Sequence, residues 1–225
     1  AVDDAIAAAT TVVVNLNVRP NYTIDLLRDP SDTVLVGSSV LTQFPGYAKF
    51  EIEATSEAQK VDALSQHSIP VTKTAPAVPV PFIVEGRMAA YVIGSDNTVD
   101  MNVGVANETH ATSADTIGES VFLHLDEVLD IFAESDDGSS IEVAATDTLA
   151  DCVDDTYFDF AIDARDLADI QIYINGVNVL PASVFNVELA TGPLKLLVHL
   201  EKTTGTATGE LRVSKLALRT MDVAA

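Results

Sequence analysis

The stretch IQIYINGVNVL, Ile170 to Leu180, decides how the rest of the chain is read. Ile170, Ile172 and Ile174 alternate with Gln171 and Tyr173, and a second short run ends at Leu180. Between the runs stand Asn175 and Gly176, which both tolerate positive φ, so the spacing predicts a β-hairpin closed by a type I′ turn. Just upstream, Thr156 to Asp163 (TYFDFAID) sets Phe158, Phe160 and Ile162 against Tyr157, Asp159 and Asp163. That period of two marks a strand buried on one face.

Working outward, strand signals recur at short intervals. They cover Phe82 to Ile93, Val99 to Val105, Ser120 to Leu125, Leu129 to Ala133 and Ile141 to Ala145 on the N-terminal side. On the C-terminal side they cover Val184 to Leu189, Leu194 to Glu201 and Glu210 to Thr220. Turn-rich segments separate them, among them Ser135 to Ser139 (SDDGS) and Thr203 to Gly209 (TTGTATG). Many short strands with few helices predict a two-sheet sandwich.

The N-terminal part is less regular. Thr11 to Val18 (TVVVNLNV) reads as a strand, while Asp3 to Ala9 reads as a short helical turn. Tyr47 to Thr55 alternates cleanly, but Ala58, Val61 and Leu64 recur at three-residue spacing and predict a second helical turn over Ser56 to Leu64. Pro70 to Pro81 holds four prolines, which exclude helix and central strand, so it reads as an extended linker or edge segment and a candidate boundary. The division adopted is an arm or short-strand region over residues 1–45 and a sandwich over 46–225.

Composition limits the function classes. The 225 residues include no Trp and 6% aromatics, so the core must come mainly from Val, Ile, Leu and Ala. Against 34 acids stand 12 bases, a net charge of -22 that repels phosphate backbones and anionic lipid. We therefore expect no nucleic acid and no membrane as partner. No base occurs between Arg87 and Arg165, whereas Lys195, Lys202, Arg212, Lys215 and Arg219 gather near the end. Cys152 has no partner for an intrachain disulfide. Ala1 to Thr10 carries acids where a secretory signal needs bases, so a non-secreted protein made in a cytoplasm is expected.

No residues are nominated as catalytic, cofactor-binding or metal-binding. His67, His110, His124 and His199 show no ligand spacing among themselves or with Cys152. For His124 and His199, within strand-like segments, a hydrogen-bonded or surface imidazole is expected rather than a ligand. The acids at Asp136 and Asp137, and at Asp151, Asp154 and Asp155, lack EF-hand spacing and read as solvated loop tips, with calcium the alternative. No nucleophile elbow or phosphate loop is present. Paired carboxylates could cleave glycosides, but the scarcity of aromatics weakens that reading.

From Phe158 to Thr220 the order FDFAIDARDLADIQIYINGVNVLP, VFNVELATGPLKLLVHLEKT and GELRVSKLALRT resembles a concanavalin A-like or laminin G-like jelly roll. In overall character the chain also resembles the head decoration (cement) proteins of tailed bacteriophages. That resemblance implies an all-β jelly-roll β-sandwich with an extended N-terminal arm, and no enzymatic activity or cofactor. It implies a virion structural protein on the outer capsid surface, binding the major capsid protein and stabilising it as a homotrimer. The alternatives are a carbohydrate-binding, lectin-like virion or surface module and a glycan-cleaving enzyme on the same fold.

Overall fold

Period-two alternation forces each strand to bury one face, and the chain satisfies that demand by stacking two sheets on one core. The computed structural model describes residues 23–29, 31–71, 80–93, 99–107, 113–126, 130–139 and 142–220. In chain order the strands are β1 Thr23–Asp25, β2 Ser31–Val36, β3 Val40–Phe44, β4 Tyr47–Ile52, β5 Gln59–Ser65, β6 Ile69–Pro70, β7 Phe82–Ile93 and β8 Val99–Ala106. They continue with β9 Glu119–Asp126, β10 Asp130–Asp137, β11 Glu142–Asp151, β12 Phe158–Ala164, β13 Gln171–Ile174, β14 Val177–Asn178, β15 Pro193–Lys202 and β16 Gly209–Thr220.

Sheet I has the order β14-β13-β12-β7-β16-β4-β3, with β1 also on β16. Sheet II has the order β11-β10-β9-β8-β15-β5-β2, with β6 also on β15. All pairings are antiparallel. The same device builds both centres. A long strand meets one long neighbour along its length, and two shorter strands share its other edge: β4 and β1 on β16, β5 and β6 on β15. The fold is thus the all-β jelly-roll sandwich expected from the sequence.

The predicted hairpin is present. Tyr173 pairs with Asn178 and Ile174 with Val177, leaving Asn175 (φ 49°) and Gly176 (φ 79°) as a two-residue turn. Phe158, Phe160 and Ile162 point into the core together with Phe50, Phe82, Val84, Met88, Leu211 and Leu218 of sheet I. Sheet II answers with Val61, Met101, Val103, Val105, Leu123, Leu196, Val198 and Leu200.

Three local expectations are corrected. Ser56 to Leu64 holds no helical turn, because Val61 and Ala63 turn to the core while Lys60, Asp62 and Leu64 face outward as strand β5. The acidic segment from Ser135 continues β10 as far as Asp137, since Ser135 and Asp137 are buried there. Val184 to Leu189 is no strand and keeps a single bridge, Ile170 to Phe185. Of the region 1–45 set apart in the sequence, residues 1–22 lie outside the described residues, as do the strand and helical turn expected there. Residues 23–44 carry β1, β2 and β3, which hydrogen-bond into both sheets. Residues 72–79 of the proline-rich segment also lie outside.

Buried polar groups fix the loops to this frame. Lys202, 1% exposed, donates its ammonium to the carbonyls of Glu53, Thr55 and Ala207, and so ties two loops to the end of β15. Glu119 accepts hydrogen bonds from the Thr191 amide and hydroxyl, the Gly192 amide and the Asn107 side chain. Burial alone would raise its pKa, but these donors outweigh burial and hold it below the usual 4.5. A carboxylate with a depressed folded pKa adds stability above its unfolded value and loses it as pH falls through the folded one. Glu119→Gln is therefore expected to lower the urea midpoint most near pH 7. The gap to wild type should close in acid, at pH values below about 4.5.

Candidate functional site: two contrasting outer faces

The outer face of sheet I gathers the scarce bases. Alternation along β7 turns Glu85, Arg87, Ala89 and Tyr91 outward, away from the core residues Val84, Met88 and Ala90. A register shift in β16 between Val213 and Lys215 lets Arg212 and Lys215 both face outward. Lys215 then stands opposite Arg87, and Arg212 opposite Lys49. With Arg28 and Arg219, six of the chain's 12 bases (Arg28, Lys49, Arg87, Arg212, Lys215, Arg219) share this face.

Each of these bases has an acid nearby. Arg87 meets Asp159 at 2.8 Å, while Lys215 and Arg219 reach Glu85 at 2.9 and 3.1 Å. The Lys215 hydrogen bond holds the Glu85 carboxyl below its ordinary value. Aromatics interleave with the cations. The Arg212 guanidinium lies 3.6 Å from the Tyr91 ring centre and 5.6 Å from that of Tyr47, and Arg87 lies 5.5 Å from that of Tyr157. Phe44 stacks on Tyr47 at 4.8 Å. A groove of about 490 Å³ adjoins, lined by Thr23, Asp25, Arg28, Glu85, Lys215 and Arg219 among others. The result is a half-exposed platform of ring faces and forked donors, suited to flat polar ligands rich in hydroxyls or carboxylates.

The outer face of sheet II has the opposite character: charged and dry. Register places His124, Asn102, His199 and Asp62 in one row across β9, β8, β15 and β5. Asp100, Glu201 and Lys60 form the next row on the same face. His199 and Asp62 are 0% exposed. The His199 Nδ1 bonds the Asp62 carboxylate, which also meets Lys60 at 2.9 Å. The His199 Nε2 sits 3.3 Å from Glu201 Oε2 without forming a hydrogen bond. His124 Nε2 lies 2.8 Å from Asp100 Oδ1, and its Nδ1 lies 3.6 Å from Glu134 Oε1.

Burial alone would lower both histidine pKa values. The carboxylates outweigh it, raising His199 to about 9 through Asp62 and Glu201, and His124 to about 11 through Asp100 and Glu134. Past this row an apolar patch of Leu64, Ala106, Phe122 and Leu197 is packed by Ala114 and Ile117 from a short 3₁₀ turn. Beside Glu201 a groove of about 260 Å³ opens between Val36, Ala58, Gln59, Lys60, Lys202 and Thr203.

His124 and His199 therefore share one row with Asn102 of β8 between them, an arrangement no linear spacing announces. His67 lies away from them beside Ser65, and His110 is outside the described residues. Asp136 and Asp137 bond amides of their own turn, at Gly138 and Ser139. Cys152 is buried, and burial pushes its thiol up to about 12, which makes it inert.

No protein-family model and no curated protein matches the sequence. Solved structures do match the fold. The lectin UEA-II complexed with galactose superposes with a TM-score of 0.63 at 10% identity, over 90% of this chain and 98% of that one. The carbohydrate recognition domain of Emp47p gives 0.57 at 9% identity, over 88% and 95%. The alginate lyase AlgAT5, of polysaccharide lyase family 7, gives 0.52 at 15% identity, over 78% and 79%. At these identities the likeness establishes architecture. The chain has a jelly-roll β-sandwich fold similar to that of these lectin structures.

The sheet I platform makes its own prediction. Lysine keeps the charge of Arg212 but loses the planar face that lies on Tyr91, so Arg212→Lys should cost about 0.5–1 kcal/mol by denaturant unfolding. A Tyr91→Leu background should abolish most of that difference.

Proposed function

We propose that this protein is a carbohydrate-binding module. The observation that carries the reading is the platform on sheet I: Tyr47, Tyr91 and Tyr157 interleaved with Arg87 and Arg212 on a lectin-like frame. A sugar ring offers an apolar face to an aromatic and hydroxyl pairs to a guanidinium fork. Such sites need a few placed polar groups on an apolar floor. The superposed structures include a lectin complexed with galactose and a carbohydrate recognition domain, which agrees with this choice.

The test is a glycan array probed with the full chain, followed by titration of the strongest hit. Binding should fall at least tenfold in Tyr157→Ala and in Arg87→Ala, with the fold intact by circular dichroism. Loss of neither would remove the platform from the reading. Because one superposed structure is an alginate lyase, the same samples should be incubated with alginate. Shortened chains with new unsaturated ends would replace binding with cleavage.

A second reading, decoration of a tailed-phage capsid as a trimer on the major capsid protein, has its own support. Among the described residues strand β2 ends sheet II, and it exposes Val34, Leu35 and Val36 by 37, 50 and 40%. An unpaired apolar edge gains stability when a neighbouring chain covers it. Virions purified from the source should contain this chain in fixed ratio to the shell protein. Its absence from such particles would leave the glycan reading alone.

A further inference from the structure

The sheet II cluster contains more carboxylates than its own cations can serve. Asp62, Asp100, Glu134 and Glu201 face Lys60 and the two imidazoles of His124 and His199. Charges removed from water are tolerated when their remaining lone pairs and protons find partners. Among the buried atoms here that form no hydrogen bond are His199 Nε2 and Asn102 Oδ1, on residues that are both 0% exposed. The imidazole is turned so that Nδ1 meets Asp62, and Nε2 is aimed at the gap between Glu201 and Asp100.

That gap has the dimensions of a coordination sphere. One donor atom each from Asp100, His199 and Glu201 lies within 4.8 Å of the others. Donors held about 2.0–2.2 Å from one ion stand roughly 3 to 4.4 Å apart, so only a small closure of side chains is needed. On its other side Asp100 is held by His124, whose Nε2 lies 2.8 Å from Oδ1. An imidazole that binds metal through Nε2 typically donates its Nδ1–H to a carboxylate, which fixes the ring and strengthens the ligand. Asp62 already occupies that position on His199, and is itself held by Lys60.

We infer that Asp100, His199 and Glu201 form a binding site for one first-row divalent transition-metal ion, with Asp62 as the carboxylate behind His199. The mixed nitrogen and oxygen set suits Zn²⁺ or Mn²⁺. An ion can enter past Asp100, whose side chain is 17% exposed, or from the groove beside Glu201. The site is independent of the sheet I platform, so it stands or falls apart from the carbohydrate reading.

The experiment uses the full chain, stripped with EDTA, dialysed and titrated with ZnCl₂ and separately with MnCl₂ by calorimetry. One tight equivalent per chain is expected with at least one of them. At about a hundredfold excess over Kd the Tm should rise by roughly 5 °C or more. A chain of net charge -22 also binds cations loosely, so site variants are part of the test. Asp100→Asn and Glu201→Gln, nearly isosteric, should each weaken the tight equivalent at least tenfold. Asp62→Asn should weaken it about 10- to 100-fold although it is not a ligand. Asp154→Asn, on a distant exposed loop, should leave it unchanged. No tight equivalent in the wild-type chain would overturn the inference without reference to any variant. A tight equivalent that survives both Asp100→Asn and Glu201→Gln would do the same.

Discussion

The contact between the inner faces of the two sheets is the constraint on which the rest depends. With no tryptophan, the interior is filled by Val, Ile, Leu, Ala, Met and Phe from strands whose alternate residues point one way. Burying those side chains is the dominant favourable contribution, at about 25 cal/mol per Å² of apolar surface. Once the register of β16 on β7 and of β15 on β8 is set, a slip of one residue would exchange every inner side chain for an outer one. The outer faces are therefore as strictly specified as the core. The positions of Arg212, Lys215, His199 and Glu201 follow from it.

The two outer faces treat charge differently. On sheet I the ion pairs stay near water, where each contributes little to stability and the groups can exchange partners with a ligand. On sheet II the acids and imidazoles are withdrawn from water, where removing one partner leaves an uncompensated charge costing about 3–5 kcal/mol. A purely structural role would be met as well by apolar side chains, as it is in the neighbouring patch of Leu64, Phe122 and Leu197. Retaining four carboxylates beside two histidines in the same sheet thus points to chemistry rather than packing.

The sequence carried the architecture wherever local pattern and final environment agree. Ile170 to Leu180 and Thr156 to Asp163 could be read directly, because alternation and turn chemistry are both local. Ser56 to Leu64 misled because both faces of β5 are buried: Lys60 and Asp62 lie under the charge cluster, and the pattern loses its period. The acidic run at Ser135 misled for the converse reason, since acids there occupy a strand and fold back on their own turn. The candidate sites were less legible. His199 meets Asp62 across 137 residues of sequence and Asn102 across the other edge of β15, so the cluster exists only once strand order is known.

The charge asymmetry shows how topology turns a linear feature into a surface. Bases cluster toward the two ends of the chain, which in sequence reads only as an acidic middle. β16 is the last strand and β1 and β4 are among the first, yet they are neighbours in sheet I. Pairing the ends of the chain therefore collects Arg28, Lys49, Arg212, Lys215 and Arg219 on one face, while β10 and β11 carry acids at the far edge of sheet II. Elsewhere the surface is strongly negative, so anionic ligands are repelled from most approaches and meet a locally neutralised, aromatic face at one. On the proposed carbohydrate reading, a polysaccharide bearing carboxylates would be oriented by that field before it touched a ring, and guanidinium groups already stacked on tyrosines would lose little further freedom on holding it.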